Sequence, residues 1–377
     1  MIPVFRPSVG EEEIEAVAEV LRSGWLGSGP KTEAFEEAFA RFIGVKHAVA
    51  VNSATAALHL ALKTAEVEGG EVITTPMTFI STNHAILYNN ATPVFCDIEP
   101  ETLNIDVSKV ESLINDRTRA ILVVHFGGYA VDMEPLLALA QRYKLKVIED
   151  AAHGCGGEYR SRRLGSIGNF GCFSFHAVKN LSCGDGGMIT TNDANAARRL
   201  RSLRWMGISR DTWGRSQNTR YNWEYRVEEL GFKYQMNDIA AAIGLVQLSR
   251  LQEKNRRREE ITRLFSERLQ GIEELGLPVR KDYMTRPAYH NYVIRTKRRD
   301  ELSEFLKGKG IATSVHYFPN NLYPIYRHFE APTPVCHRIW KTLLTIPLFP
   351  DLKDSEVDYI VSSIHDFFIR ARRNSSG

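Results

Sequence analysis

The chain has 377 residues, of which 43% are hydrophobic, 25% charged and 10% aromatic. That is enough to bury a sizeable core in one large and one small domain, and it excludes a fibrous or disordered chain. Lys and Arg number 48 against 45 Asp and Glu, a net +3, too even a balance to mark a nucleic-acid partner, although a small anionic substrate stays open.

No apolar run approaches the roughly 18 to 20 residues that cross a bilayer, so no membrane association is expected. The start, Met1-Ile-Pro-Val-Phe-Arg-Pro, lacks a basic region followed by an apolar one, so no secretory signal is expected either. The five cysteines (Cys96, Cys155, Cys172, Cys183, Cys336) show no metal-ligand spacing. They read as reduced, mostly buried thiols of a cytoplasmic protein with no metal.

Apolar spacing predicts helices over 11–21, closed at Ser23-Gly24, and over 32–42, where Phe35, Phe39 and Phe42 share a side. A strand at 47–51, a helix at 54–62 and strands at 72–74 and 92–96 follow. The alternation repeats with a strand at 120–125, a helix at 134–143, a strand at 146–148 running into Glu149-Asp150, and strands at 170–175 and 187–190. Strands interleaved with helices predict an α/β fold with a large, mostly parallel sheet covered on both faces. A long helix is expected over 239–269. A strand at 289–295, a helix at 301–307, a strand at 313–316 and a helix at 355–368 then predict a smaller C-terminal α+β domain. The expected division is 1–250 and 251–377.

Three segments can carry chemistry. Asn52-Ser53-Ala54-Thr55 joins a strand to a helix, where free N–H groups and the helix dipole attract an anion; an ordinary N-cap explains the same residues. Asp150 ends an apolar strand, where open α/β sheets bind ligands, and a buried carboxylate there needs a partner such as a protonated ring nitrogen; helix capping is the plainer alternative. Lys179 follows the aromatic strand Phe173-Ser174-Phe175 and precedes the loop Gly184-Asp185-Gly186-Gly187. Desolvation would make it a Schiff-base nucleophile, while a hairpin-surface lysine is the other reading. An anion cradle, an acid at a strand end and such a lysine together are what pyridoxal phosphate requires.

In these segments the chain resembles the DegT/StrS-type nucleotide-sugar aminotransferases, a branch of the fold-type I pyridoxal-phosphate enzymes. The likeness runs through nearly the whole sequence: residues 23–30, 51–58, Pro76-Met77-Thr78-Phe79, 93–97, 149–153, Ser174-Phe175-His176-Ala177-Val178-Lys179, 184–187, 231–238 and His316-Tyr317. The resemblance implies that Lys179 holds pyridoxal 5'-phosphate as a Schiff base and shuttles the proton, with Asp150 on the pyridinium nitrogen. It further implies Phe79 stacked on the ring, His153 beside it, and Ser53, Ala54, Thr55 and Ser174 on the phosphate. A homodimer with shared active sites is implied, completed across the interface from 233–237, with Gln235 and Asn237 as the candidates. His316 and Tyr317 match a stretch near the sugar site.

Two positions depart from the family: Gly is usual where Ala54 stands, and Glu is frequent where Asp185 stands. Related sugar 3-dehydratases carry His in place of the lysine, so Lys179 argues for transamination. Arg210, in Arg210-Asp211-Thr212-Trp213-Gly214-Arg215 with Arg220 after it, reads either as a clamp on a nucleotide diphosphate or as a solvated loop. His125 reads as a histidine satisfied by its neighbours. The expected reaction moves an amino group from L-glutamate to a keto group, C4, of a nucleotide-linked 4-keto-6-deoxyhexose for surface polysaccharide or lipopolysaccharide synthesis. C3 amination of a 3-keto sugar nucleotide, another pyridoxal-phosphate-dependent sugar reaction, and a non-catalytic pyridoxal-phosphate-binding regulator are the alternatives. A nicotinamide-binding fold is excluded by the missing G-x-G-x-x-G between first strand and helix.

Overall fold

The computed structural model describes residues 1–208, 225–329 and 331–375. Helix α1 (Glu11–Ser23) places Glu11, Glu12 and Glu13 in its first turn, against the positive end of the dipole, and ends at Gly24 with φ 74°. Helix α2 (Pro30–Ile43) starts with proline at its first turn and buries Phe35, Phe39 and Ile43. The Phe39 ring meets Phe173 at 4.9 Å and Phe175 at 5.4 Å, which fixes α2 against the aromatic strand that leads to Lys179.

The strands are β1 (His47–Val51), β2 (Glu71–Thr74), β3 (Thr92–Phe95), β4 (Thr118–Val124), β5 (Lys146–Asp150), the small hairpin β6 (Glu158–Tyr159) and β7 (Arg162–Arg163), β8 (Phe170–Ser174) and β9 (Gly187–Thr191). Seven of them form one sheet in the order β1-β9-β8-β5-β4-β2-β3. Only β9 runs against the rest. The connecting helices α3 (Ala54–Thr64), α4 (Ile80–Tyr88), α5 (Val107–Val110), α6 (Met133–Tyr143) and α7 (Ala194–Leu203) complete this part. Strands β8 and β9 are buried along their whole length, as a sheet covered on both faces requires.

Strand polarity gathers the chemistry at one edge. Asp150 is the last residue of β5 and Ser174 the last of β8, while Ser53 follows β1 and Phe79 follows β2. The reversed strand β9 begins there, with Gly187 paired to both Val51 and Ser174. A β-carbon at Gly187 would lie 2.5 Å from the Ser53 carbonyl, so only glycine lets β9 approach the turn that opens α3.

Helix α8 (Asp238–Leu269) is continuous over 32 residues. Its first half packs Ala241, Leu248 and Leu251 against Phe35 and Phe173. Its second half packs Ile261, Phe265 and Leu269 against Tyr292, Leu344 and Ile346. The expected division at 250 therefore falls inside a helix shared by two cores. The C-terminal part adds β10 (Tyr292–Arg295), α9 (Arg299–Gly308), α10 (Pro334–Ile339), β11 (Leu343–Ile346) and α11 (Asp354–Ser375). The chain start joins it: Ile2 bonds to Gly310 and Ala312, and Val4 to Leu348.

Two expected strands differ. The strand expected from 289 begins at Tyr292, because Tyr289 has φ 50° and the N–H groups of Ala288 and His290 donate to Gly128 and Gly127. The segment 313–316 is no strand; Ser314 alone pairs with Thr345. All five cysteines are free and buried, and among the described residues no helix is long and apolar enough to cross a membrane.

Along β5, successive side chains point to opposite faces. Glu149, fully buried, accepts four hydrogen bonds: from His125 Nε2 (3.0 Å), and from the N–H groups of Gly165 (2.8 Å), Ile167 (2.7 Å) and Gly168 (2.7 Å). His125 is thus satisfied by Glu149 and by the Val131 N–H at 3.2 Å. Removing one partner of a buried ionic set strands the others. Glu149→Ala is accordingly expected to cost about 3–5 kcal/mol of stability, read from urea unfolding followed by circular dichroism; a loss under about 1 kcal/mol would contradict this role.

Candidate active site

A cavity of about 800 Å³ opens at the sheet's carboxyl edge, between it and the C-terminal part. Ser53, Ala54, Thr55, Phe79, Asp150, His153, Ser174, Lys179, His316 and Tyr317 all line it. The structure thus brings together ten residues drawn from separate segments of the chain.

At the cavity's first end, Ser53 caps α3 by accepting the Ala56 N–H at 3.1 Å. The plain capping role is thus observed, and one cap does not use up the first-turn N–H groups of α3. Ser174 accepts a long bond from the His176 N–H at 3.4 Å.

Asp150 is 4% exposed. Its Oδ2 accepts from Thr82 Oγ1 at 2.8 Å and its Oδ1 from the Ala152 N–H at 3.1 Å, and among the described residues no cation bonds it. Burial pushes its carboxyl above the usual range, against the pull of these two donors and of Lys179. Thr82 is in turn bonded to Thr78 Oγ1 at 2.7 Å, one turn earlier.

Lys179 is half-buried and makes no side-chain hydrogen bond or ion pair among the described residues. Burial lowers its ammonium to about 8, against the attraction of Asp150. Phe79 is 59% exposed and lines this cavity.

His153 accepts the Gly127 N–H on Nδ1 at 3.2 Å. Its proton therefore sits on Nε2 and is donated to Tyr317 Oη at 3.1 Å. Burial, with the charge of Lys179 behind it, holds this imidazole neutral, well below its ordinary value. His316 bonds Thr345 Oγ1 at 2.7 Å and is lowered by burial and by Lys179 to about 4.

Gln235 and Asn237 are not among the residues lining the cavity of their own chain. Asn237 caps α8 through the Ala240 N–H at 2.9 Å, and Gln235 pairs with Val51 while its Oε1 is buried without a partner. Arg210, Arg215 and Arg220 lie outside the described residues. The sequence reading passed over Thr82, His290 and Phe5. His290 stacks on Phe5 at 5.2 Å and meets the His153 ring at 4.3 Å. An hydroxyl one turn behind Thr78 was the available signal for Thr82; the two others are joined only by the fold.

These residues fit pyridoxal phosphate. Among the described residues no cation bonds the buried carboxylate, which suits a protonated ring nitrogen, and nothing pairs with the lysine; Ser53, Ala54 and Thr55 of the α3 turn lie on the cavity wall, where a phosphate can reach them. Fold and site together define a pyridoxal-phosphate-dependent aminotransferase. The chain belongs to the DegT/DnrJ/EryC1/StrS aminotransferase family, whose model matches residues 7–365, and pyridoxal 5'-phosphate is its cofactor. It is 44% identical to the spore coat polysaccharide biosynthesis protein SpsC of Bacillus subtilis, over 97% of this chain and 96% of that one. Among solved structures, the aminotransferase TlmJ of Streptoalloteichus hindustanus superposes with a TM-score of 0.92 at 35% identity, covering 99% of this chain and 100% of the other. The sugar aminotransferase CalS13 of Micromonospora echinospora gives 0.90 at 34%, covering 97% and 99%.

Only the neutral Lys179 amine attacks an aldehyde. The rate of cofactor binding to the cofactor-free protein is expected to rise with pH up to about 8 and flatten above it, followed by stopped-flow absorbance. A rate independent of pH through that range would count against the lowered lysine. Asp150→Asn is expected to retain cofactor binding but slow the half-reaction with the amino donor by about 10²–10³-fold, measured in single turnover; an unchanged rate would remove Asp150 from the mechanism.

Proposed function

We propose that this chain is a sugar-nucleotide aminotransferase that takes its amino group from L-glutamate and delivers it to C4 of a nucleotide-linked 4-keto-6-deoxyhexose. The product would feed surface-polysaccharide synthesis in the cytoplasm. The observation that carries the reading is one cavity holding an unpaired, desolvated Lys179, a buried Asp150 without a cation, and the open turn of α3. The names of SpsC and CalS13 support polysaccharide and sugar chemistry. The choice of C4 rests on the likeness of residues 209–213 and 231–234 to 4-aminating relatives.

When bound, pyridoxal phosphate supplies an aldehyde and an electron sink. Ser53, Ala54, Thr55 and Ser174 would hold its phosphate, and Phe79 would cover its ring. Asp150 would keep a proton on the ring nitrogen, which its two neutral hydrogen-bond donors leave it free to do. Lys179 would anchor the cofactor and, once displaced by the donor's amine, carry the proton from Cα of the donor. The neutral His153, tied to Tyr317, adds no competing positive charge beside it. A homodimer, with Gln235 or Asn237 reaching the partner's cavity, is part of the proposal; it rests on the family resemblance, and neither residue lines the cavity of its own chain.

The visible spectrum of the cofactor-loaded protein is expected to change on adding L-glutamate and to be restored by a nucleotide 4-keto-6-deoxysugar. Lys179→Ala should stay folded yet lose both responses. A spectrum that ignores glutamate would refute the donor, restoration by 3-keto sugars alone would refute C4, and turnover by Lys179→Ala would refute the whole reading.

A further inference from the structure

Among the described residues Asp150 accepts two hydrogen bonds, and one of the donors is backbone, the Ala152 N–H. Thr82 is therefore the one side chain that bonds the carboxylate, from Oγ1 to Oδ2 at 2.8 Å. It stands in the first turn of α4, the helix that opens at Phe79, and it is buried. One helix start thus carries both the residue proposed to cover the cofactor ring and the only side-chain donor to the acid.

Proton counting gives this contact a direction. A carboxylate only accepts, so the single hydroxyl proton of Thr82 is spent on Asp150. In the next bond, between Thr78 Oγ1 and Thr82 Oγ1 at 2.7 Å, Thr78 must then be the donor. Thr78 is buried as well. Stability alone does not call for two buried hydroxyls here, because exchanging both partners of such a bond for apolar groups is nearly neutral.

The turn that carries them is tied to the end of β2. Asn83 Nδ2 donates to the Thr75 carbonyl at 3.2 Å, and Thr74 Oγ1 donates to Asn83 Oδ1 at 3.3 Å. The remaining titratable groups that face Asp150 act through space. Lys179 and His125 attract its charge, while burial first and that charge second keep Cys172 and Tyr317 protonated.

We propose that Thr82 is a positioning residue for Asp150. Thr78, Thr82 and Asp150 form a one-way hydrogen-bond chain that keeps the carboxylate an acceptor for the protonated ring nitrogen of pyridoxal phosphate. The inference rests on the reading of Asp150 as the partner of that nitrogen. Each donor in the chain polarises the next, and a hydrogen bond to the charged form favours carboxylate over acid. Without the Thr82 hydroxyl, the proton shared by Asp150 and the ring nitrogen shifts toward Asp150.

The test reads where that proton sits. The protein is loaded with pyridoxal phosphate isotopically labelled at the ring nitrogen and observed by solid-state nitrogen NMR across a pH series. The wild type is expected to show the protonated signal. Thr82→Val, nearly equal in shape, should move it toward the unprotonated position, and the pH of half-protonation should fall by about one unit or more. Thr82→Ser, which keeps the hydroxyl, should restore it, and Thr78→Val should move it the same way by less. A signal unmoved in Thr82→Val overturns the proposal. So does a Thr82→Ser signal no better than that of Thr82→Val, since packing and not the hydroxyl would then matter. An unmoved Thr78→Val strikes Thr78 from the chain. Should Thr82→Val fail to fold, Thr82→Cys, of similar size but a weak donor, decides in its place. Asp150→Asn, recorded alongside, separates the two readings. If the protonated signal survives that change, the role of Asp150 falls and this proposal with it. If it is lost there but unmoved in Thr82→Val, only the role of Thr82 falls.

Discussion

Two carboxylates buried side by side at the end of one strand are the constraint on which this molecule turns. Glu149 and Asp150 are adjacent in β5, both shielded from water, and each would be costly without partners. The strand's alternation sends them to opposite faces, and the two faces answer differently. Glu149 receives four donors, and these overcome the effect of burial and bring its carboxyl below the usual range. Asp150 receives two neutral donors and is left raised. One residue is saturated and knits the loop 165–168 to the sheet; the next is left short of one partner, on the side where a cavity has room for it.

That shortfall becomes chemistry because the rest of the fold closes over it. The antiparallel strand β9 can press against the α3 turn only through Gly187, which brings the lysine loop and that turn to the same edge as Asp150. From the other side the C-terminal part supplies His290, His316, Tyr317 and Arg299. Helix α8 contributes to both cores, and the first residues of the chain pair with 310–312. The two parts are therefore held in register by continuous secondary structure and by chain ends that cross back, and the cavity between them is set by packing rather than by a linker.

Much of this was legible in the sequence, and for identifiable reasons. The strand 47–51 was read to the residue because its edges are sharp, with a glycine before and a hydroxyl cap after. Lys179 and Asp150 stood out because their types are rarely found beside long apolar runs. Helix α4 was missed because it buries Thr82 and Asn83 together with Ala85 and Ile86, leaving no apolar stripe to detect. The strand expected at 313–316 failed for the opposite reason: the pattern is present, but the segment bends through the cavity wall and keeps a single bridge. The partners of the site, Thr82 on Asp150 and His290 on His153, depend on contacts across 68 and 137 positions of sequence, which local spacing does not encode.

The histidines of the wall show what such a cavity demands. His153, His290 and His316 all line it, and all are held below the ordinary value by burial first and by positive neighbours second, Lys179 among them. Had any of them remained charged, its field would push the lysine lower still. Kept neutral, they act only through directed hydrogen bonds, as His153 does between Gly127 and Tyr317. The cavity thus separates its charges by place: Lys179 with Asp150 and Asp185 on the side of the sheet, the Arg299–Asp300 pair on the side of the C-terminal part, and the lowered histidine rings His153, His290 and His316 beside them.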